Sequence, residues 1–376
     1  MHLTLYRKYR PQTFDEIIGQ DHVSKTLFNQ VRSGKISHAY LFSGSRGTGK
    51  TSTARIFARA INCENSQNST LPCYECETCR KLMQPTNLDI VEIDAASNNR
   101  VDEIRELREK IKFLPTCGKY KVYIIDEVHM LTDSAFNALL KTLEEPPAHV
   151  VFILGTTEIH KLPATILSRC TRFDFKLVSQ EELAKHLKNI FVKENISYEE
   201  KAVDAIVSMA EGSVRDMLSI ADSVISFTNG NVTYENTAKI LGTSNIKKLV
   251  DFADKIISKD VGGAFEEIND VVKSGKNISV FAKECTVHFR NLLVVKTTKK
   301  AKEMLNLPVE DFALLSGQSE KESVENLMFY MKTFSEIEAE LKYAMSPRTL
   351  VEVATVKCIE GLDALKKNEI WLNKKA

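Results

Sequence analysis

A parallel five-stranded α/β domain followed by two all-helical regions is the architecture this 376-residue sequence predicts. Three observations carry that reading. Short apolar runs alternate with helical periodicity up to about residue 178. Those runs are continuously apolar, as in strands covered by helices on both faces. Beyond residue 178 the strand signal stops and only helical periodicity remains.

The strands are expected in AYLFS (39–43), LDIVEID (88–94), KVYIID (121–126), VVFILG (150–155) and RFDF (172–175). The domain they form spans residues 1–178. Residues 179–242 then read as a small helical bundle. SQEELAKHLKNIFVKEN opens with Ser179 followed by Glu182, the pattern of a capping box. EEKAVDAIVSMAEG, SVRDMLSIADSVISF and NVTYENTAKILG supply the next helices. Residues 243–376 read as helical throughout, with breaks expected at Gly262–Gly263, Gly275, Pro308, Gly317 and Pro347. ENLMFYMKTFSEIEAEL carries an aromatic and methionine stripe that suits a helical core.

The composition is that of a globular protein: 43% hydrophobic, 27% charged, net charge +1, pI near 7.6. So small a net charge excludes a global basic field, and any basic surface must be local. The N-terminus, MHLTLYRKYRPQ, lacks the apolar core of a signal peptide, and no run approaches the roughly 18 apolar residues of a membrane span. A cytoplasmic protein without membrane contact is expected.

Gly44 to Thr51, GSRGTGKT, matches G-x-x-x-x-G-K-[ST] between an expected strand and an expected helix. Backbone N–H groups across Gly44, Ser45, Arg46, Gly47, Thr48 and Gly49 can turn inward around phosphate oxygens, with the helix N-terminus and Ser52 behind them. Lys50 is placed to reach the β- and γ-phosphates of a nucleoside triphosphate, and Thr51 to offer its hydroxyl to Mg²⁺. A glycine-rich turn that binds nothing is the alternative. KVYIID adds Asp126 and Glu127 at the C-terminal edge of the sheet, where ligands of such sheets sit. Asp126 is the expected Mg²⁺ partner and Glu127 the expected base for an attacking water. Two carboxylates ending a buried strand are costly without a metal or a hydrogen-bond network. The alternative is an acidic pair at a helix N-terminus. ATP hydrolysis, not binding alone, is the expectation.

Cys63, Cys73, Cys76 and Cys79 form C-x9-C-x2-C-x2-C. The spacing fits four thiolates around one structural Zn²⁺, in an insert at about 63–79. Disulfides are disfavoured in a reducing compartment, and nothing points to an electron-transferring iron–sulfur cluster. Cys117, Cys170, Cys285 and Cys358 are scattered and read as buried apolar residues.

Together these residues resemble the gamma/tau family of the bacterial DNA polymerase III clamp loader, which are AAA+ ATPases. The resemblance is carried by YRPQTFDEIIGQ, HAYLFSGSRGTGKTS, the four-cysteine insert, VEIDAASNN, YIIDEVHMLTDSAFNALLKTLEEPP, LGTTEIHKLPATILSRC and AEGSVRDMLS. It spans nearly the whole chain. It implies an AAA+ P-loop domain with a zinc-binding insert, a helical lid and an all-α collar that holds the oligomer. It also implies roles for single residues. Tyr9, Arg10, Pro11, Ile18 and Gly19 would line the nucleotide near adenine. Thr157 would be the sensor at the end of the fourth strand, although capping the strand end is an open alternative. Arg215 would be the lid's sensor arginine, against a surface pairing with Asp216 or Glu211. Arg169, in the sequence ILSRC, would act on the ATP of an adjacent subunit, against a local pairing that only fixes its loop.

The resemblance further implies partners: other copies of the same subunit, delta and delta-prime subunits, a sliding clamp and primer–template DNA, in a replisome at the nucleoid. Ser97, Asn98, Arg100 and Arg105 are the candidates for DNA backbone contact. Residues Val101 to Lys112 carry four basic and four acidic side chains, which on their own suit a solvated helix face. Because the sequence stops at NKKA, the polymerase- and helicase-binding extension of longer family products is not expected in it. Three rivals are weaker. A translocating motor would need an aromatic–glycine pore loop, a non-hydrolysing delta-prime-like subunit a degraded phosphate loop, and a zinc DNA-binding module more basic neighbours than Arg80 and Lys81.

Overall fold

The computed structural model describes residues 3–84, 86–98, 101–228, 230–241, 246–305, 309–341 and 343–373. They fall into two compact units, Met1–Tyr234 and Glu235–Ala376.

The first unit is built on β1 (Ala39–Gly44), β2 (Ile90–Asp94), β3 (Lys121–Asp126), β4 (Val150–Thr156) and β5 (Thr171–Phe175). All pair in parallel, in the order β2-β3-β4-β1-β5. The expected strands are all present. β4 is buried at every position, and β1 and β3 up to their last residue. The edge strands differ: β5 alternates buried and exposed positions after its first residue, and β2 is at best half-buried. An edge strand has a neighbour on one side only, so continuous burial holds for the centre of the sheet alone.

After α1 (Leu5–Lys8), α2 (Asp21–Ser33) and α3 (Lys50–Ala60) cover one face of the sheet. Their Leu27 and Phe57 join Tyr40, Phe42, Ile124 and Ile153 in one core. α4 (Glu77–Leu82) belongs to the cysteine insert. α5 (Val101–Ile111) and α6 (Asp133–Glu144) cover the other face, where Leu107 and Leu139 meet Leu41, Tyr123, Phe152 and Leu154. Successive residues of each central strand thus feed opposite cores, as the pleat requires. α7 (Ala164–Leu167) is a single turn before β5.

Three helices follow: α8 (Gln180–Lys193), α9 (Glu200–Met209) and α10 (Val214–Thr228). The capping box of α8 is present. Ser179 Oγ accepts from the Glu182 N–H at 3.3 Å, and the Glu182 carboxylate accepts from the Ser179 N–H at 3.4 Å. The strand signal does not end at residue 178, however. β6 (Ser197–Tyr198) pairs in parallel with β7 (Asn231–Val232). Two residues are too few to show a period, so only the meeting of distant segments makes them strands. α11 (Tyr234–Leu241) follows.

The second unit is helical: α12 (Ile246–Ile257), α13 (Val261–Lys273), α14 (Ile278–Thr297), α15 (Ala301–Leu305), α16 (Val309–Glu320), α17 (Val324–Leu341) and α18 (Pro347–Asn373), the last broken at Gly361. Its aliphatic core holds a cluster of aromatic rings. Phe252 meets Phe281 edge-on at 5.0 Å between ring centroids, and Phe289 stacks on Phe334 at 5.8 Å. Of the expected stripe of α17, Tyr330 and Phe334 enter that core and Phe329 and Met331 pack against it, whereas Met328 is exposed.

The expected breaks divide. Gly275 follows α13 with φ +73°, and Pro347 opens α18, where its missing N–H leaves no hydrogen bond unmade. Gly262, Gly263 and Gly317 lie inside helices. Asp260 caps α13, its Oδ1 accepting from the Gly263 N–H at 2.9 Å. A Cβ on Gly263 would lie 2.3 Å from Asp260 Oδ2, so the glycine makes room for the cap. Pro308 lies outside the described residues. Among the described residues no helix is long and apolar enough to cross a membrane.

Candidate functional site

Between the end of β1 and the start of α3 the chain must turn sharply. Gly47 and Gly49 adopt φ of +75° and +104°, a region that side chains rarely tolerate. A Cβ on Gly47 would also lie 2.0 Å from Ser213 Oγ, because the start of α10 packs on this loop. The Arg215 N–H donates to Gly47 O at 3.4 Å. Lys50 is only 6% exposed, and its Nζ donates to Gly44 O at 2.7 Å and Ser45 O at 2.9 Å. The ammonium therefore sits inside its own loop, held by neutral carbonyls. Burial lowers its pKa, and the charges of Glu127 and Asp126 oppose that shift.

At the end of β3, Asp126 Oδ2 accepts from Thr51 Oγ1 at 2.6 Å. These two oxygens, one from each half of the motif, are close enough to share one hard divalent cation. Glu127 has φ +47°, an unusual backbone for a glutamate, and its N–H donates to Asp126 Oδ1 at 3.0 Å. Its Oε2 accepts from the Thr157 N–H at 3.2 Å and the Thr157 hydroxyl at 3.0 Å. Gly155, in β4, makes room for this arrangement: a Cβ there would lie 2.7 Å from Asp126 Oδ1. Nothing in the run VVFILG singles that glycine out.

A cleft of about 450 Å³ joins these groups. Of the residues expected at the nucleotide, Tyr9, Arg10, Pro11, Ile18, Arg46, Gly47, Thr48, Gly49, Lys50, Thr51, Ser52, Asp126, Glu127 and Arg215 line it. Gly44 and Ser45 contribute through the carbonyls that hold Lys50. Thr157 touches Glu127 and does not itself line the cleft, and Gly19 does not line it either. The structure adds Tyr6, Glu16, Ile17, Asp94, Ala96, His186, Val214 and Leu218. Of these only Tyr6 and His186 lie outside the motif-bearing segments, and they enter because α1 and α8 border the cleft. The Arg215 guanidinium lies over the Tyr6 ring, 5.4 Å from its centroid. The Tyr9 hydroxyl donates to Glu194 at the end of α8, and burial with that carboxylate pushes it up to about 12. Burial also lowers Arg10, with Arg55 adding to the effect.

Arg169 is elsewhere. Its guanidinium pairs with Glu144 at the end of α6 at 2.8 Å, and donates to Thr165 O at 2.8 Å. Ser97 Oγ donates to Asp94 Oδ2 at 3.0 Å and Asn98 Nδ2 to Asp94 O at 3.1 Å, so both turn back on their own loop. Arg100 and the Arg105 side chain lie outside the described residues.

The thiols of Cys63, Cys73, Cys76 and Cys79 lie within 4.8 Å of one another. A tetrahedral shell with Zn–S bonds of about 2.3 Å has sulfur–sulfur edges of about 3.8 Å. Cys73 Sγ and Cys79 Sγ are 3.9 Å apart, close to such an edge and far from a disulfide, and all four cysteines are free. Burial raises the Cys63 thiol, so a divalent cation would supply the charge that lets the full set ionise. The cluster fits a closed zinc site. Separately, buried Asp89 ties the segment after α5 to the sheet. It accepts from the N–H groups of Thr116, Cys117 and Gly118 at 2.7, 2.8 and 2.9 Å. Burial alone would raise its carboxyl, but these donors outweigh it and hold it far below the usual range.

Comparison with known proteins points to one family. Residues 19–179 match the family described as DNA polymerase III, delta subunit. Residues 182–230 match the DNA polymerase III clamp loader subunit, ATPase lid domain, and residues 232–371 match DNA polymerase III subunits gamma and tau domain III. DNA polymerase III subunit tau of Bacillus subtilis is 43% identical over 355 residues, which are 94% of this chain and 62% of that protein. The tau subunit of Escherichia coli is 44% identical over 72% of this chain and 42% of its own length. DNA polymerase III subunit gamma of Buchnera aphidicola is 41% identical over 73% of this chain and 75% of its own length. The chain thus spans roughly half of the two tau relatives. With one relative matched over three quarters of its length at this identity, the chain belongs to the gamma/tau family of DNA polymerase III subunits, with an AAA+ ATPase fold.

Proposed function

We propose that this chain is the ATP-hydrolysing motor subunit of a bacterial replicative clamp loader. The observation that carries the reading is one constellation. Buried Lys50 and the Thr51–Asp126 pair meet in a cleft that Glu127 also lines. Bound there, ATP with Mg²⁺ supplies the phosphoryl group and the charge that polarises it. Lys50 exchanges its two carbonyl partners for β- and γ-phosphate oxygens. Thr51 and Asp126 hold the cation. Glu127 takes the proton of the attacking water, and Thr157 orients Glu127. Arg215 closes on the phosphates from α10, and Arg169 of a neighbouring copy stabilises the transferring group. Tyr9, Arg10, Pro11 and Ile18 form the base-side wall, and Gly19 follows them without lining it.

In this reading residues 1–178 are the motor domain, with the cysteine insert stiffened by zinc. Residues 179–242 are the lid and 243–376 the collar. ATP binding favours opening of a sliding clamp, primer–template DNA triggers hydrolysis, and hydrolysis releases the clamp. The partners are further copies of the subunit, delta and delta-prime subunits, the clamp, and DNA held by backbone contacts near Ser97, Asn98, Arg100 and Arg105, in a cytoplasmic replisome.

The test is a pair of variants. Lys50→Ala should lose ATP binding in calorimetry with its fold intact. Glu127→Gln should bind ATP and lose roughly 10²–10⁴ in turnover. Normal ATP affinity in the first, or wild-type turnover in the second, would remove the residue from its role.

A further inference from the structure

His129 lies in the short turn Val128–Met130, directly after Glu127. Its side chain is only 6% exposed. None of the roles above uses it, yet it stands among groups that the hydrolytic reading does use. Its Nε2 is 3.1 Å from Glu158 Oε2. Its Nδ1 is 3.0 Å from Thr156 Oγ1 and 3.5 Å from Glu127 Oε2. An ionised carboxylate can only accept, so Nε2 carries a hydrogen toward Glu158. In the neutral ring Nδ1 is then an acceptor for the Thr156 hydroxyl. Thr156 Oγ1 also accepts from the Glu158 N–H at 3.0 Å, and Lys161 holds Glu158 from outside at 2.7 Å. The imidazole is thus fixed at both nitrogens, with one edge against Glu127.

A ring that merely filled space here would be a poor choice. An apolar side chain would fill it without burying two nitrogens between carboxylates. The placement makes sense if the ring limits where the Glu127 carboxylate can go. Glu127 starts from an uncommon backbone, at φ +47°, and the Oε2 that faces His129 is the oxygen bound by Thr157. A brace on that side selects the rotamer from which Glu127 meets the cleft.

We propose that His129 is a positioning residue that holds Glu127 in its hydrolytic orientation by bracing it against the end of β4. The inference rests on Glu127 acting in ATP hydrolysis. The test compares full-length His129→Ala, His129→Asn and His129→Gln in complexes reconstituted with partner subunits, clamp and primed DNA. ATP affinity, single-turnover phosphate release and melting temperature are measured for each. Asparagine places its amide near the position of Nδ1, glutamine near that of Nε2. His129→Ala should slow phosphate release ~10–100-fold, the loss expected when a reacting group is displaced by about 1 Å, with ATP affinity unchanged. Asparagine should restore most of the rate and glutamine should not. A His129→Ala rate equal to that of a working wild type would overturn the inference alone. So would rate, affinity and melting temperature falling together, with asparagine no better than glutamine. A wild type without turnover would overturn the hydrolytic reading and this inference with it.

Discussion

Lys50 in the first unit and His288 in the second are both buried ionisable side chains, and burial lowers the pKa of each. Their surroundings differ in one respect. His288 Nε2 bonds Gln318 Oε1 at 2.6 Å, and the Gln318 amide donates to Val250 O at 2.8 Å. That set is closed: each member ends on another or on backbone, inside the core of the second unit. Lys50 bonds two carbonyls of a loop that opens on a cleft, beside Asp126 and Glu127. Burial and a shifted pKa therefore do not mark a site. A polar set that a ligand can still enter does.

The largest effect should come from Arg169, whose pairing with Glu144 is partly exposed and so open to exchange. If a neighbouring copy's nucleotide recruits it, Arg169→Ala should lose roughly 10³–10⁵ in DNA-stimulated hydrolysis while binding ATP normally. Complexes of defined order, mixing subunits lacking Arg169 with subunits lacking Lys50, should hydrolyse only where an intact Lys50 faces an intact Arg169 next door. Activity that instead needs both residues on one chain would assign Arg169 to its own site. The arginine suits the exchange because its planar fork grips phosphate oxygens in pairs and stays charged.

The cysteine cluster is a closed set inside the first unit and should behave as one. Elemental analysis should find one Zn²⁺ per chain. Its removal should raise hydrogen exchange across residues 63–82 and leave ATP affinity unchanged, because the core on the sheet's other face takes nothing from the insert and Asp89 ties residues 116–118 to the sheet independently. Loss of nucleotide binding on chelation would break the distinction between the two sets.

The smallest effect should come from the closed set of the second unit. His288→Leu strands Gln318 Oε1 and should cost about 1–3 kcal/mol of stability, read by denaturant melts, with ATP binding untouched. Its pH signature has a definite sign. Burial depresses the folded pKa of His288 to about 4, below the unfolded value near 6.5. The neutral ring's contribution is therefore present above about pH 6.5 and is lost as pH falls toward 4. His288→Leu should flatten that part of the stability profile. An unchanged slope would mean that His288 is not the titrating group.

The comparison also separates what local sequence carries from what it does not. The phosphate loop is eight consecutive residues, so Gly47, Gly49, Lys50 and Thr51 could be read in order, and they line one cleft. The strands were legible because burial on both faces leaves continuous apolar runs, and the capping box because its partners are three residues apart. The four cysteines declared themselves by spacing. Gly263 misled because a glycine making room for a cap looks, in sequence, like one ending a helix. What sequence alone left open were meetings between distant segments: Gly155 under Asp126, Thr157 and His129 around Glu127, Tyr6 beneath Arg215, Glu144 on Arg169. Each motif fixed the chemistry available at its own strand end. The order β2-β3-β4-β1-β5 decided which strand ends are neighbours, because it seats β4 between β3 and β1 and brings Thr156 and Thr157 beside Asp126, Glu127 and the loop after β1. Spacing along the chain encodes local geometry; contact across the sheet depends on which strands pair, and no single segment holds that information.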